Sequence, residues 1–116
     1  MVAFQIMKQY VIDEIRPEDY TKIKAFLDNE YGKSELEGIY WIPMDERLLT
    51  SHQTSHQECQ PFYVALDLEH DRLSCELLIR TKQRVTCDCM GYATEKQRNW
   101  IISRIDGVLV KLEIIT

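Results

Sequence analysis

The sequence predicts an α+β fold: an antiparallel sheet of about five strands with two amphipathic helices on one face. Three observations predict it. Apolar residues recur at three- and four-residue spacing between Tyr20 and Tyr31 and again between Ile101 and Leu112, the period of a helix with one buried stripe. Apolar and polar residues alternate in successive stretches between Phe62 and Tyr92, the period of a half-buried strand. The links between those stretches are short, and short links join antiparallel neighbours.

The first element runs from Gln9 to Glu14, where Tyr10 and Ile12 alternate with Val11 and Asp13 as in a strand. Pro17 then opens a helix, since its missing N–H costs nothing in a first turn, and Glu18 and Asp19 suit the positive end of the helix dipole. Tyr20, Ile23, Leu27 and Tyr31 form its stripe, Phe26 widens it, and Gly32 is a natural stop. Leu36 to Met44 is too short for a comfortable helix and reads as a strand, with Pro43 placing it at an edge or a strand end.

Asp45 to Cys59 is a polar insertion that begins as a short helix through Glu46, Leu48 and Leu49. Three strands follow. Phe62 to Glu69 turns Phe62, Val64, Leu66 and Leu68 to one face, His70-Asp71 makes a tight turn, and Leu73 to Thr81 turns Leu73, Cys75, Leu77 and Ile79 the same way. After a turn near Lys82, Val85 to Tyr92 is the third. A two-residue turn would put Thr86, Asp88 and Met90 with Leu77 and Ile79; a three-residue turn would put Val85, Cys87 and Cys89 there. The apolar pattern favours the second. Thr94 and Gln97 carry a capping-box signature for the last helix, whose stripe is Ile101, Ile105, Val108 and Leu112, broadened by Ile102 and Leu109. Gly107 costs this helix about 1 kcal/mol against alanine, which suggests a close approach to a strand or another helix.

The expected order is β-α-β-(insertion)-β-β-β-α. This is the β-α-β4-α order of the TATA-binding-protein-like architecture, a likeness of topology alone, with no sequence motif of that family. With 116 residues and no linker, a single domain spanning 1–116 is expected. Hydrophobic content of 45% supplies a core without covalent staples and argues against disorder.

Charge and composition narrow the function classes. A net charge of −5 disfavours nucleic acid and anionic membrane as partners. Lys82, Arg84, Lys96 and Arg98 are interrupted by acids and form no continuous basic stripe. The first ten residues lack the pattern of a secretory signal, and no run is long enough to span a bilayer. A cytoplasmic, reducing setting is the expectation, so the four cysteines are thiols or metal ligands rather than disulfides.

Four groups of residues are candidate sites. Thr50-Ser51-His52-Gln53 is repeated at once as Thr54-Ser55-His56-Gln57, so on a helix His52 and His56 share a face at a spacing that suits two imidazoles on one metal, with Cys59 one turn further on. A small duplication in an exposed loop explains the same pattern, and Ser, Thr and Gln make a mediocre helix. Cys75 is expected opposite Cys89 with Cys87 beside it, a thiol set that with Cys59 or a histidine could hold zinc or a softer ion. Strand cysteines facing a core are more often small apolar fillers, and that reading is preferred. On the other sheet face Glu76 is expected opposite Asp88 with Asp67 diagonal, either a paired-carboxylate site offset by a cation or by Arg80, or a solvated face. Tyr63, Leu78, Met90 and Tyr92 share that face with Trp41 nearby, which marks a partner surface or a patch covered by the insertion.

Glycine-rich phosphate loops, nucleophile elbows and dinucleotide fingerprints are missing. The sequence names no cofactor and offers no positive sign of catalysis. The leading expectation is a binding or adaptor domain that forms homodimers, or binds another protein, through the sheet face or the strand near Trp41. The alternatives are a metal- or redox-responsive protein using the Cys/His residues, and a small enzyme using Asp67, Glu76 and Asp88.

Overall fold

A computed structural model of the chain describes residues 8–33, 36–81 and 87–115. The fold is α+β: a curled antiparallel sheet with two substantial helices, plus one short helix in the insertion. Strand β1 is Gln9–Ile12, helix α1 Pro17–Tyr31 and strand β2 Ile39–Pro43. The insertion folds as a 3₁₀ turn over Glu46–Leu48, helix α2 over Ser51–Ser55 and a second 3₁₀ turn over Gln57–Cys59. Strands β3 (Phe62–Glu69), β4 (Arg72–Glu76), β5 (Leu78–Thr81) and β6 (Gly91–Tyr92) follow, then helix α3 (Glu95–Lys111). No helix among the described residues is long and apolar enough to cross a membrane.

Alternation fixes the inner face. Phe62, Val64, Leu66 and Leu68 of β3 are buried, as are Leu73, Cys75, Leu77 and Ile79 of the neighbouring arm. Leu27 and Tyr31 of α1 and Ile105 and Val108 of α3 meet Ile42, Leu66 and Leu73 around one small cleft, so both helices cover that face. Helix α1 begins with Pro17 in its first turn and buries Ile23 and Leu27. In α3, Ile101, Ile105 and Leu109 are buried, while Val108 and Leu112 sit at the half-buried margin of the stripe. Tyr10 of β1 donates from its hydroxyl to Asp106 of α3 at 2.5 Å, joining the sheet edge to the helix.

Strand β2 pairs with β3 and ends at Pro43, which resolves the proline's position as both the strand end and the sheet edge. Gly38, just before it, has φ of +84°, and a Cβ there would lie 2.7 Å from the Leu68 carbonyl oxygen. Only glycine fits that turn.

The arm expected as one strand from Leu73 to Thr81 is two. Tyr63 to Leu66 spans three steps of β3, whereas their partners Arg80 and Cys75 are five steps apart. Two extra residues at Leu77 therefore bulge the arm, which bends a sheet. An even number of extra residues preserves which face each side chain takes, so Cys75, Leu77 and Ile79 all remain inside. Leu77 also divides the outer edge of the arm. Its N–H donates to Lys8 and its carbonyl accepts from Ala93, so β1 lies beside β4 and β6 beside β5.

Two further expectations are corrected. Among the described residues the last strand is only Gly91–Tyr92; Asp88 and Cys89 lie in a turn, where Cys87 and Asp88 meet Cys59, His52 and His56 of the insertion. Lys82 to Thr86, which decide the turn length, lie outside the described residues. Gly107 approaches nothing: it is exposed, and an added Cβ would meet no atom within 4 Å.

The insertion is anchored by two capping boxes that meet. Thr94 caps α3 and Thr50 caps α2, each with a glutamine three residues on closing the box. Gln97, fully buried, accepts from Thr94 N–H through Oε1 and donates through Nε2 to the Leu48 carbonyl and to Gln53 Oε1, both at 2.9 Å. Two side-chain amides thus satisfy both helix starts and bind the insertion to the N-terminal turn of α3.

Candidate metal centre

The insertion and the loop preceding β6 bring two sets of ligand-type side chains together. The first is Cys59, Cys87 and Cys89, whose sulfurs all lie within 4.8 Å of one another. Cys59 arrives from the 3₁₀ turn after α2 and is fully buried; Cys89 is 4% exposed and Cys87 half-buried. The Cys59 and Cys89 sulfurs lie 3.6 and 3.0 Å from that of Cys87. A tetrahedral zinc with sulfurs at about 2.3 Å sets neighbouring sulfurs about 3.8 Å apart. Small outward movements would bring the trio to that spacing.

The electrostatics of the trio are uneven. The Cys87 thiol is held below its ordinary value, first by the Cys89 backbone N–H and then by the Cys89 and Cys59 thiols and His56. Burial pushes the Cys89 thiol up, and its neighbouring sulfurs push it the same way. Of the two loop thiols, Cys87 therefore gives up its proton more readily than Cys89. Binding a cation would release the remaining protons.

The second set is His52, His56 and Asp88, again with ligand atoms within 4.8 Å of one another. The expected helical spacing is present: His52 lies in α2 and His56 caps its C-terminus, with ring centroids 4.5 Å apart. Their Nε2 atoms lie 3.2 and 3.3 Å from Asp88 Oδ1. His56 Nδ1 lies 2.8 Å from the His52 carbonyl, which can only accept, so the ring carries a proton on Nδ1. That contact is the main reason the His56 imidazole is held above its ordinary value; Cys87 and Asp88 add to it.

Sequence reasoning named all six of these residues but grouped them otherwise. Cys75 is not opposite Cys89. It faces Leu66 on one side and Tyr10 on the other, fully buried, with its thiol pushed up to about 12 by burial. It is core filler. The carboxylate group dissolves. Glu76 lies opposite Gln9 and pairs with Arg80 at 2.9 Å, Asp67 lies opposite Ser74 and is raised by its burial, and Asp88 stands with the histidines.

The outer face keeps most of its expected members. Trp41 and Tyr63 contact edge to face with centroids 6.4 Å apart, and Leu78 pairs with Tyr92, which is 42% exposed. Met90 instead packs against the core cluster. The insertion docks on α3 through the Leu48 carbonyl and enters the core through Cys59 and Leu49. Gln53 and Gln97 were missed as partners, although Thr50 and Gln53 repeat the spacing already recognised at Thr94 and Gln97. In comparisons with known proteins, no family model, curated protein or solved structure matches this chain.

Proposed function

We propose that this protein is a metal-binding domain in which Cys59, Cys87 and Cys89 hold a thiophilic ion of the zinc class. One observation carries the reading: three sulfurs from two chain segments, 28 residues apart at the Cys59–Cys87 contact, gather within 4.8 Å of one another. Filler cysteines have no reason to seek each other, as Cys75 illustrates among aliphatic and aromatic neighbours. Soft thiolate donors select zinc or copper(I) over calcium or magnesium. A bound ion would tie the 3₁₀ turn at Gln57–Cys59 to the loop before β6, coupling the insertion to the far end of the sheet. Its binding energy would then add directly to folding.

The test is equilibrium competition for zinc against a chromophoric chelator. Cys59→Ser, Cys87→Ser and Cys89→Ser should each weaken binding by more than about tenfold, and Cys75→Ala should leave it intact. Equal affinity in all four variants and the parent would remove the proposal. A second reading, self-association through the outer sheet face, is favoured by the Trp41–Tyr63 pair and the exposure of Tyr92 on the side away from both helices. Light scattering at two protein concentrations tests it, and a strict monomer at both would count against it.

A further inference from the structure

We infer that the protein carries a second, separate cation site, built by His52, His56 and Asp88, which takes a borderline divalent ion through imidazole and carboxylate. The inference goes beyond the thiolate reading and uses a different set of ligand atoms.

Four features support it. The donors form a closed group of their own, with Nε2 of both rings and one Asp88 oxygen mutually within 4.8 Å. Nitrogen and oxygen ligands at about 2.0–2.1 Å from a tetrahedral ion stand about 3.4 Å apart. The Nε2–Oδ1 separations here are 3.2 and 3.3 Å. Next, the supporting contact of His56 is the kind a ligating histidine uses. Its Nδ1–H donates to the His52 carbonyl, which orients the ring and turns Nε2 toward Asp88. The donor set also differs from the trio in chemistry: two imidazoles and a carboxylate suit zinc, nickel(II) or copper(II), not copper(I). Finally, the short loop separates the two sites. Cys87 and Cys89 turn toward Cys59, while Asp88 between them has 80% of its side chain exposed; the two sets adjoin where Asp88 Oδ1 lies 3.9 Å from the Cys87 sulfur, a contact too long for both to bind one tetrahedral ion at its ordinary bond lengths without movement. Three protein donors at an exposed position leave coordination positions for water or a small ligand.

Cobalt(II) titration of the full chain, followed by absorption, separates the sites because sulfur-to-cobalt charge transfer is intense and imidazole–carboxylate cobalt gives only weak visible bands. The expected result is two equivalents: one with the charge-transfer band and one without it. The double variant His52→Ala/His56→Ala should lose the second equivalent and keep the charge-transfer band unchanged, and Asp88→Asn should weaken the second equivalent by more than about tenfold. Far-UV circular dichroism on each variant checks the fold, which these exposed or half-buried positions should leave intact. A single equivalent that carries the charge-transfer band would overturn the inference, as would loss of that band in the histidine variant, which would make a histidine part of the thiolate site. A histidine-dependent equivalent without any charge-transfer band would uphold this site and remove the thiolate one.

Discussion

Cys75 and the Cys59–Cys87–Cys89 trio are the same residue type in opposite circumstances. Cys75 sits in a regular strand with its neighbours set by register, Leu66 across one edge and Tyr10 across the other. The trio sits where regular structure ends, in a 3₁₀ turn and a loop, and its members are brought together by the docking of the insertion on α3. Burial alone does not separate them, since Cys59 and Cys75 are both at 0% exposure. What separates them is company: one lies among aliphatic and aromatic side chains with the Glu76 backbone carbonyl as its acceptor, the others among sulfur, imidazole and carboxylate. A thiol's chemistry follows from its neighbours as well as from its depth.

The largest expected consequence is stabilisation by the ion. Zinc at about a thousand times its dissociation constant should raise unfolding free energy by about 4 kcal/mol, measured by urea denaturation with and without chelator. Cys89→Ser should cut that gain by more than about 1 kcal/mol at the same zinc concentration, whereas Cys75→Ala should retain it in full. An undiminished gain in Cys89→Ser would erase the distinction between the two environments.

The scaffold that assembles the trio is the next point to break. Gln97→Ala strips partners from the Leu48 carbonyl, Gln53 Oε1 and the Thr94 N–H, and should cost about 3 kcal/mol in the same denaturation experiment. Because Gln97 positions the insertion, this variant should also bind zinc more weakly than the parent. Unchanged zinc affinity would mean the trio forms without that anchor.

Smaller effects sharpen the contrast. Cys75→Ala removes one buried sulfur from a packed core and should cost about 1 kcal/mol, with no change in metal affinity. Gly107→Ala should act in the other direction, adding about 1 kcal/mol to thermal or urea stability, because the site is helical, exposed and open to a methyl group. A loss of stability there would reveal a contact that the open surroundings of Gly107 do not contain.

The same contrast explains what was legible in the sequence. Val64, Leu66, Leu77 and Ile79 could be placed inward, and Ile101 and Ile105 on a buried stripe, because periodicity is a local signal that a regular backbone converts directly into burial. Even the two-residue bulge at Leu77 escaped notice without harm, since it preserves phase. The site was legible only as a set of residues. Placing Cys89 opposite Cys75 assumed that strand pairing continued to Tyr92, and a loop carries no period to correct that assumption. The pairing of Asp88 with His52 and His56 depends on where the insertion docks, and the docking rests on the Gln53–Gln97 contact between residues 44 positions apart. Non-local hydrogen bonds of that kind leave no repeating mark in a sequence. The i,i+4 spacing of the two histidines was the part of the site written locally, and it was the part read directly.

X-ray absorption at the zinc edge of the zinc-loaded chain tests the central claim most directly. The account predicts a sulfur shell at about 2.3 Å, fitted by about three sulfurs for the ion in the thiolate site. A first shell of nitrogen and oxygen alone at about 2.0–2.1 Å would contradict it and leave the three cysteines as neighbours without a common ion.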